Sequence, residues 1–147
     1  MLSDNGKLWS LGTSTRGPEE FQELLRTIRV EVVADVRRFP TSHLPHFEKE
    51  ALAGLVRGVG LTYVYVGDDL GGYRKGGYEA YMATPGFRRG LESLEAIARE
   101  RRTAILCAER LPWKCHRRFL GFELERRGWR VIHIIDERRS WVPHPGG

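Results

Sequence analysis

The stretch TAILCAERLPWKCHRRFLGFELERRGWRVIHII, residues 103–135, decides the fold. It opens on an apolar run, TAILCA (103–108), and closes on another, WRVIHII (129–135); each reads as a buried strand. Between them, residues 113–127 repeat apolar side chains at helical spacing and predict a helix. Strand, helix and strand in that order form a βαβ unit, the connection that parallel strands require.

The same alternation extends through the chain. KLWSLG (7–12) predicts a strand, and a TSTRGP turn leads to a helix over 18–29 with Phe21, Leu24, Leu25 and Ile28 on one face. EVVADV (31–36) predicts the second strand, followed by the polar, proline-containing loop RRFPTSHLPHF. A helix over 48–58 leads to the strand LTYVYV (61–66). Residues 67–86 hold six glycines and predict the longest irregular stretch. A helix over 87–100 carries Phe87, Leu91, Leu94 and Ile97 at helical spacing, and the tail WVPHPGG (141–147) is expected to fray. The expected fold is α/β: one domain over 1–147, a three-layer α/β/α sandwich with a mainly parallel sheet of about five strands.

Composition narrows the class. With 41% hydrophobic and 29% charged residues, the 147-residue chain has the balance of a soluble globular domain. No apolar run approaches the ~20 residues that span a bilayer, so no membrane partner is expected. MLSDNGKLWS lacks the basic and apolar blocks of a signal peptide, and two cysteines are not a disulfide framework. A cytoplasmic protein with reduced thiols is the expectation. Residues 101–139 hold 11 Lys/Arg against 5 Asp/Glu, a net +6 within a chain of net +5. That excess is either a solvated arginine-rich surface or a patch for an anionic small molecule or nucleic acid.

In an open parallel sheet, ligands bind outside the carboxyl ends of the strands. The unusual polar residues fall there. Thr13, Ser14 and Thr15 follow the first strand; Asp35, Arg37 and Arg38 end the second. Asp68, Asp69 and the Leu70-Gly71-Gly72 turn follow the third, and Cys107 and Glu109 end the fourth. These residues also carry a resemblance. SLGTS, DVRRFP, the L-G-G turn and C-x-E-x-x-P-x-x-C-H-R, matched at Cys107, Glu109, Pro112, Cys115, His116 and Arg117, resemble the domain-of-unknown-function 488 family over about residues 8–135. The resemblance implies a small α/β fold and a site at this rim, and no particular reaction.

Each candidate has a functional and a purely structural reading. Glu109 suits a general acid or base, or a helix cap or arginine partner. Cys107 is a reactive thiol or a small buried hydrophobe. Cys115, His116 and Arg117 fall in the first turn of the predicted helix, where the dipole favours anions and lowers a thiol's pKa. Cys115 then serves as nucleophile, or it packs on the sheet with Phe119 and Phe122. His116 is its partner or a proton donor, and Arg117 a bidentate anion contact. Asp35 and Arg37 share a strand face: Arg37 clamps an anion while Asp35 orients it or acts as a base, or the two form a bracing ion pair. Ser14 adds a hydroxyl; Ser42, His43 and His46 lie in a loop within reach of the rim. Gly71, Gly72 and Tyr73 suit a close ligand approach or a lid, and Tyr73, Tyr78 and Tyr81 beside Arg74 and Lys75 suit base stacking.

Zinc on Cys107, Cys115 and His116, with Asp35 or Glu109, has unfavourable spacing, so no metal or other cofactor is expected. A Cys107–Cys115 disulfide would be transient in the cytosol. The phosphate-binding, dinucleotide, zinc-protease and nucleophile-elbow motifs are absent from the sequence. Three readings remain: an enzyme acting on an anionic nucleotide or nucleic-acid substrate, with Glu109 as acid–base group and Arg37 and Arg117 as anion clamps; a nucleic-acid-binding module without chemistry; and a thiol redox or zinc protein using Cys107, Cys115 and His116.

Overall fold

In the computed structural model, which describes residues 6–39, 44–72, 74–111 and 116–142, the apolar runs form a six-stranded sheet in the order β3-β2-β4-β1-β5-β6. The strands are β1 Lys7–Gly12, β2 Val32–Asp35, β3 Thr62–Tyr65, β4 Thr103–Cys107, β5 Arg130–Ile134 and β6 Ser140–Trp141. Strands β1 to β5 are parallel, and β6 pairs antiparallel with β5. Helices α1 Pro18–Ile28, α2 Lys49–Gly58, α5 Pro85–Glu100 and α6 Arg117–Arg126 make the crossovers. The short helices α3 Gly67–Leu70 and α4 Tyr78–Tyr81 lie between β3 and α5.

The period-two alternation of each strand divides the core. Trp9, Leu11, Val33, Ala104 and Leu106 pack with Phe21, Leu24 and Leu25 of α1 and Leu52 and Val56 of α2. Leu8, Ala34, Ile105, Cys107 and Val131 pack on the other face with Phe87, Leu91 and Leu94 of α5 and Leu120 and Leu124 of α6. Helices therefore cover both faces, as the alternating sequence predicts. Local signals set the helix starts. Pro18 opens α1 behind Gly17, whose N–H donates to Glu20, and Thr84 Oγ1 caps α5 by accepting from Phe87 N at 3.3 Å.

The structure corrects four expectations. The sheet gains a sixth strand because Ser140 and Trp141, the latter in the tail expected to fray, pair with Ile134 and His133. The glycine-rich stretch is not uniformly irregular: Tyr78 and Tyr81 anchor α4 by packing on Phe87. Helix α6 begins at Arg117 with His116 as its N-cap, so His116 stands outside the first turn. Its inward face is Arg117, Leu120, Gly121 and Leu124, whereas Phe122, expected on that face, is 64% exposed. A residue two places from Leu120 is turned about 200° around the axis, away from the sheet. Among the described residues, no helix is long and apolar enough to cross a membrane.

The topology positions one edge. Strand β4 lies between β2 and β1, whose connections run over the α1/α2 face, while its own runs to α6 on the opposite face. Loops therefore diverge at the carboxyl end of β4, a switch point. The register levels that edge, pairing Gly12 with Cys107, and Asp35 with both Leu106 and Tyr65.

Candidate functional site

The carboxyl edge is held together by arginines turned inward. Arg37, 5% exposed, forms a bidentate pair with Asp35: Nε to Oδ1 at 2.9 Å and Nη2 to Oδ2 at 2.8 Å. Its Nη1 donates to the carbonyl of Phe47 at 2.6 Å, and the Tyr63 hydroxyl donates to Asp35 Oδ2 at 2.5 Å. Burial opposes the charge on Arg37, but the carboxylate of Asp35 outweighs it and holds the guanidinium above its ordinary pKa. Burial, then the hydrogen bond to Asp35, pushes the Tyr63 phenol up as well. Asp35 is fully spoken for, so this geometry is the bracing ion pair, with Arg37 aimed at the protein rather than at solvent.

Arg117 is 0% exposed. Its Nη1 donates to Ser10 Oγ at 2.9 Å, and its Nη2 to the carbonyls of Glu109 at 2.5 Å and Arg110 at 3.2 Å. Ser10 Oγ lies 2.5 Å from His133 Nδ1, both residues buried on β1 and β5. An arginine only donates, so Ser10 Oγ accepts from Arg117 and also bonds His133 Nδ1, joining α6, β1 and β5 in one buried polar chain. Arg117 thus sits beneath the edge and acts on the main chain of Glu109.

Glu109 itself is exposed, and among the described residues its carboxylate accepts only the Leu111 N–H, at 3.3 Å. It neither caps α6 nor pairs with Arg37. Its backbone is fixed from the other side by Gly12: a Cβ on Gly12 would lie 1.8 Å from the Glu109 carbonyl oxygen. Only glycine permits that approach. Two further bonds extend the β1–β4 ladder past the strands, Thr13 N to Cys107 O and Ser14 N to Ala108 O, both 2.8 Å. Ser14 takes a left-handed conformation (φ 54°) at this rim.

The spaces at Gly71 and Gly72 are used by the chain. A Cβ on Gly71 would lie 2.4 Å from the Arg38 backbone nitrogen, and one on Gly72 would lie 3.0 Å from His116 Nδ1. His116 is half-buried, 5.2 Å from the Tyr78 ring, and Tyr81 carries the Arg74 guanidinium over its face at 3.9 Å. His46 donates from Nε2 to the Arg16 carbonyl at 2.8 Å, so it ties its loop to the β1–α1 turn. Cys107 is buried, with its Sγ 3.8 Å from the Glu109 carbonyl oxygen. Ser42, His43, Tyr73 and Cys115 lie outside the described residues, and with Cys115 so do the zinc and disulfide readings. Among the described residues, no His/Cys/Asp/Glu group could hold a metal.

Several of the residues that build the edge carried little sequence signal. Ser10 and His133 interrupt apolar strands at paired register positions, a hint visible only once β1 and β5 are known to be neighbours. Arg16, 4% exposed, donates to the carbonyls of Gly12, Thr13 and Ile135, yet it reads in sequence as an ordinary turn residue.

Comparison with curated proteins and with solved structures finds no match. Comparison with family models finds one, described as Domain of unknown function DUF488, over residues 17–122, which take in Asp35, Arg37, Gly71, Gly72, Glu109, His116 and Arg117. That match covers well over half of the chain, which therefore belongs to the DUF488 family.

Proposed function

We propose that the chain is an enzyme acting on an anionic substrate of the nucleotide or nucleic-acid class at the carboxyl edge of the sheet, with Glu109 as its acid–base group. One observation carries the reading. A fully buried arginine, Arg117, spends its hydrogen bonds on holding the main chain that lifts an exposed carboxylate, Glu109, above the ends of the central strands. A structural glutamate needs no such support; a proton-transfer group needs to be held in place. Arg37 and Arg117 contribute fixed positive charge from beneath, and the half-exposed Arg38, Arg110 and His116 supply the direct contacts to an anion. Helix α6 begins at Arg117 itself, so its positive end lies beside the guanidinium that holds the Glu109 carbonyl.

The test is binding of labelled single-stranded and duplex DNA and RNA, and of a mononucleotide, across a salt gradient, followed by turnover of whichever binds. Affinity should fall steeply with salt. Glu109→Gln should bind at least as well, having lost a repelling charge, while turnover drops about 10²–10⁴-fold. Full turnover by Glu109→Gln would sink the assignment, and unchanged binding without turnover by the wild type would leave a binding module.

A further inference from the structure

A cleft of about 210 Å³ opens on the α1 side of the sheet, lined by Arg16, Glu20, Leu24, Asp136, Glu137 and Arg138. It lies between α1 and the turn joining β5 to β6. Arg16 uses Nη1 on the Gly12 and Thr13 carbonyls and Nη2 on that of Ile135. A guanidinium carries five N–H groups. Nε–H and one hydrogen on Nη2 are left without an acceptor among the described residues. No carboxylate lies within ion-pair distance of this buried cation there. Burial and then the neighbouring Arg110 charge lower its pKa, while Glu20 and Asp136 oppose the shift. A buried guanidinium with donors to spare beside an open cleft is set up for a carboxylate or similar fork.

The other charges of the cleft select the ligand. Asp136 is already answered by Arg139 Nε at 2.8 Å, Arg110 Nη2 at 3.4 Å and the N–H groups of Arg138 and Arg139. Glu20 accepts only the Gly17 N–H, at 3.4 Å, and the side chains of Glu137 and Arg138 have no partner among the described residues. Two cations, Arg16 and Arg138, and two carboxylates, Glu20 and Glu137, are therefore left to a ligand. A simple anion would meet both carboxylates, and a simple cation both arginines. Leu24 adds an apolar wall, and the volume is below the roughly 300–1,000 Å³ of pockets for larger ligands.

We propose that this cleft binds a small zwitterion of amino-acid size, its carboxylate on the spare donors of Arg16 and its ammonium toward Glu20 and Glu137. The cleft shares Arg16 with the support of the Glu109 edge, but the proposal does not rest on the activity proposed there. The test titrates the intact protein with L-leucine, and separately with acetate and methylammonium, while following the Arg16 Nε–H signal by ¹H–¹⁵N NMR. L-leucine should shift that signal with saturation, and each half-molecule should bind at least about tenfold more weakly. Glu20→Gln, at an exposed position, should narrow that preference so that acetate binds nearly as well as leucine. Arg16→Lys should abolish binding while circular dichroism reports an intact fold; should it not fold, the Glu20→Gln comparison decides. A silent Arg16 signal at millimolar leucine, or acetate binding as tightly as leucine to the wild type, would overturn the proposal.

Discussion

The Nη2 group of Arg117 donates to the carbonyl oxygen of Glu109 at 2.5 Å, while Nη1 of the same guanidinium reaches Ser10 at 2.9 Å. One buried side chain thus joins the helix that follows β4, the end of β4 and the middle of β1. It holds the main chain of Glu109 without touching the exposed carboxylate.

Arg117→Lys keeps the charge but not the fork, so it cannot serve both strands at once. Unfolding in urea should show a loss of about 2–4 kcal/mol, from hydrogen bonds to a charged group and the partners left unsatisfied. Glu109 should lose its fixed position too, so turnover should fall by more than the fraction unfolded explains. Unchanged stability would mean that the arginine does not hold the edge.

Asp35 and Arg37 make a buried bidentate pair. Removing one member leaves the other charge buried and unanswered, which costs about 3–5 kcal/mol. Asp35→Asn and Arg37→Met should each destabilise to about that extent. The double variant should recover a large part of the loss, because neither charge is then stranded. Additive losses in the same denaturation experiment would show that the pair is not coupled.

Glu95, buried on α5, accepts from Arg127 Nη2 at 2.8 Å and from the Trp129 indole at 2.9 Å. Burial alone would raise its pKa, but these hydrogen bonds outweigh it and hold the carboxyl below its ordinary 4.5. A carboxyl lowered in the folded state contributes stability that is complete above its unfolded pKa and is lost as pH falls through its folded pKa. Stability should therefore decline from about pH 4.5 downward. Glu95→Gln should remove that component of the pH profile, read through urea unfolding followed by circular dichroism at each pH. An identical acid limb in the variant would show that Glu95 is not its source.

The layers of the fold were legible because burial on both faces imposes near-continuous apolar strands, as in TAILC and VVAD, and one apolar stripe on each helix. The start of α6 was not, because His116 and Arg117 are equally compatible with a first turn or a cap. Strand β6 was missed because two residues carry no periodicity. The location of the candidate site followed from the parallel sheet itself, which gathers the ends of β1, β2, β3 and β4. The direction of its arginines did not. Asp35 and Arg37 two apart on a strand fit an outward clamp as well as an inward pair, and only the placement of Phe47 and Tyr63 around them decides it. Ser10, His133 and Arg117 are far apart in sequence and meet through the β1–β5 register.

The central claim is that an anion binds at the carboxyl edge of β1, β2 and β4. Backbone ¹H–¹⁵N NMR with a short single-stranded RNA, and with a mononucleotide in parallel, tests it most directly. The account predicts salt-sensitive shifts concentrated at Ser14, Arg38, Gly72, Glu109, Arg110 and His116, with the amino ends of the same strands, such as Lys7 and Thr103, unmoved. Shifts confined to those opposite ends, or none at low salt with either probe, would contradict it.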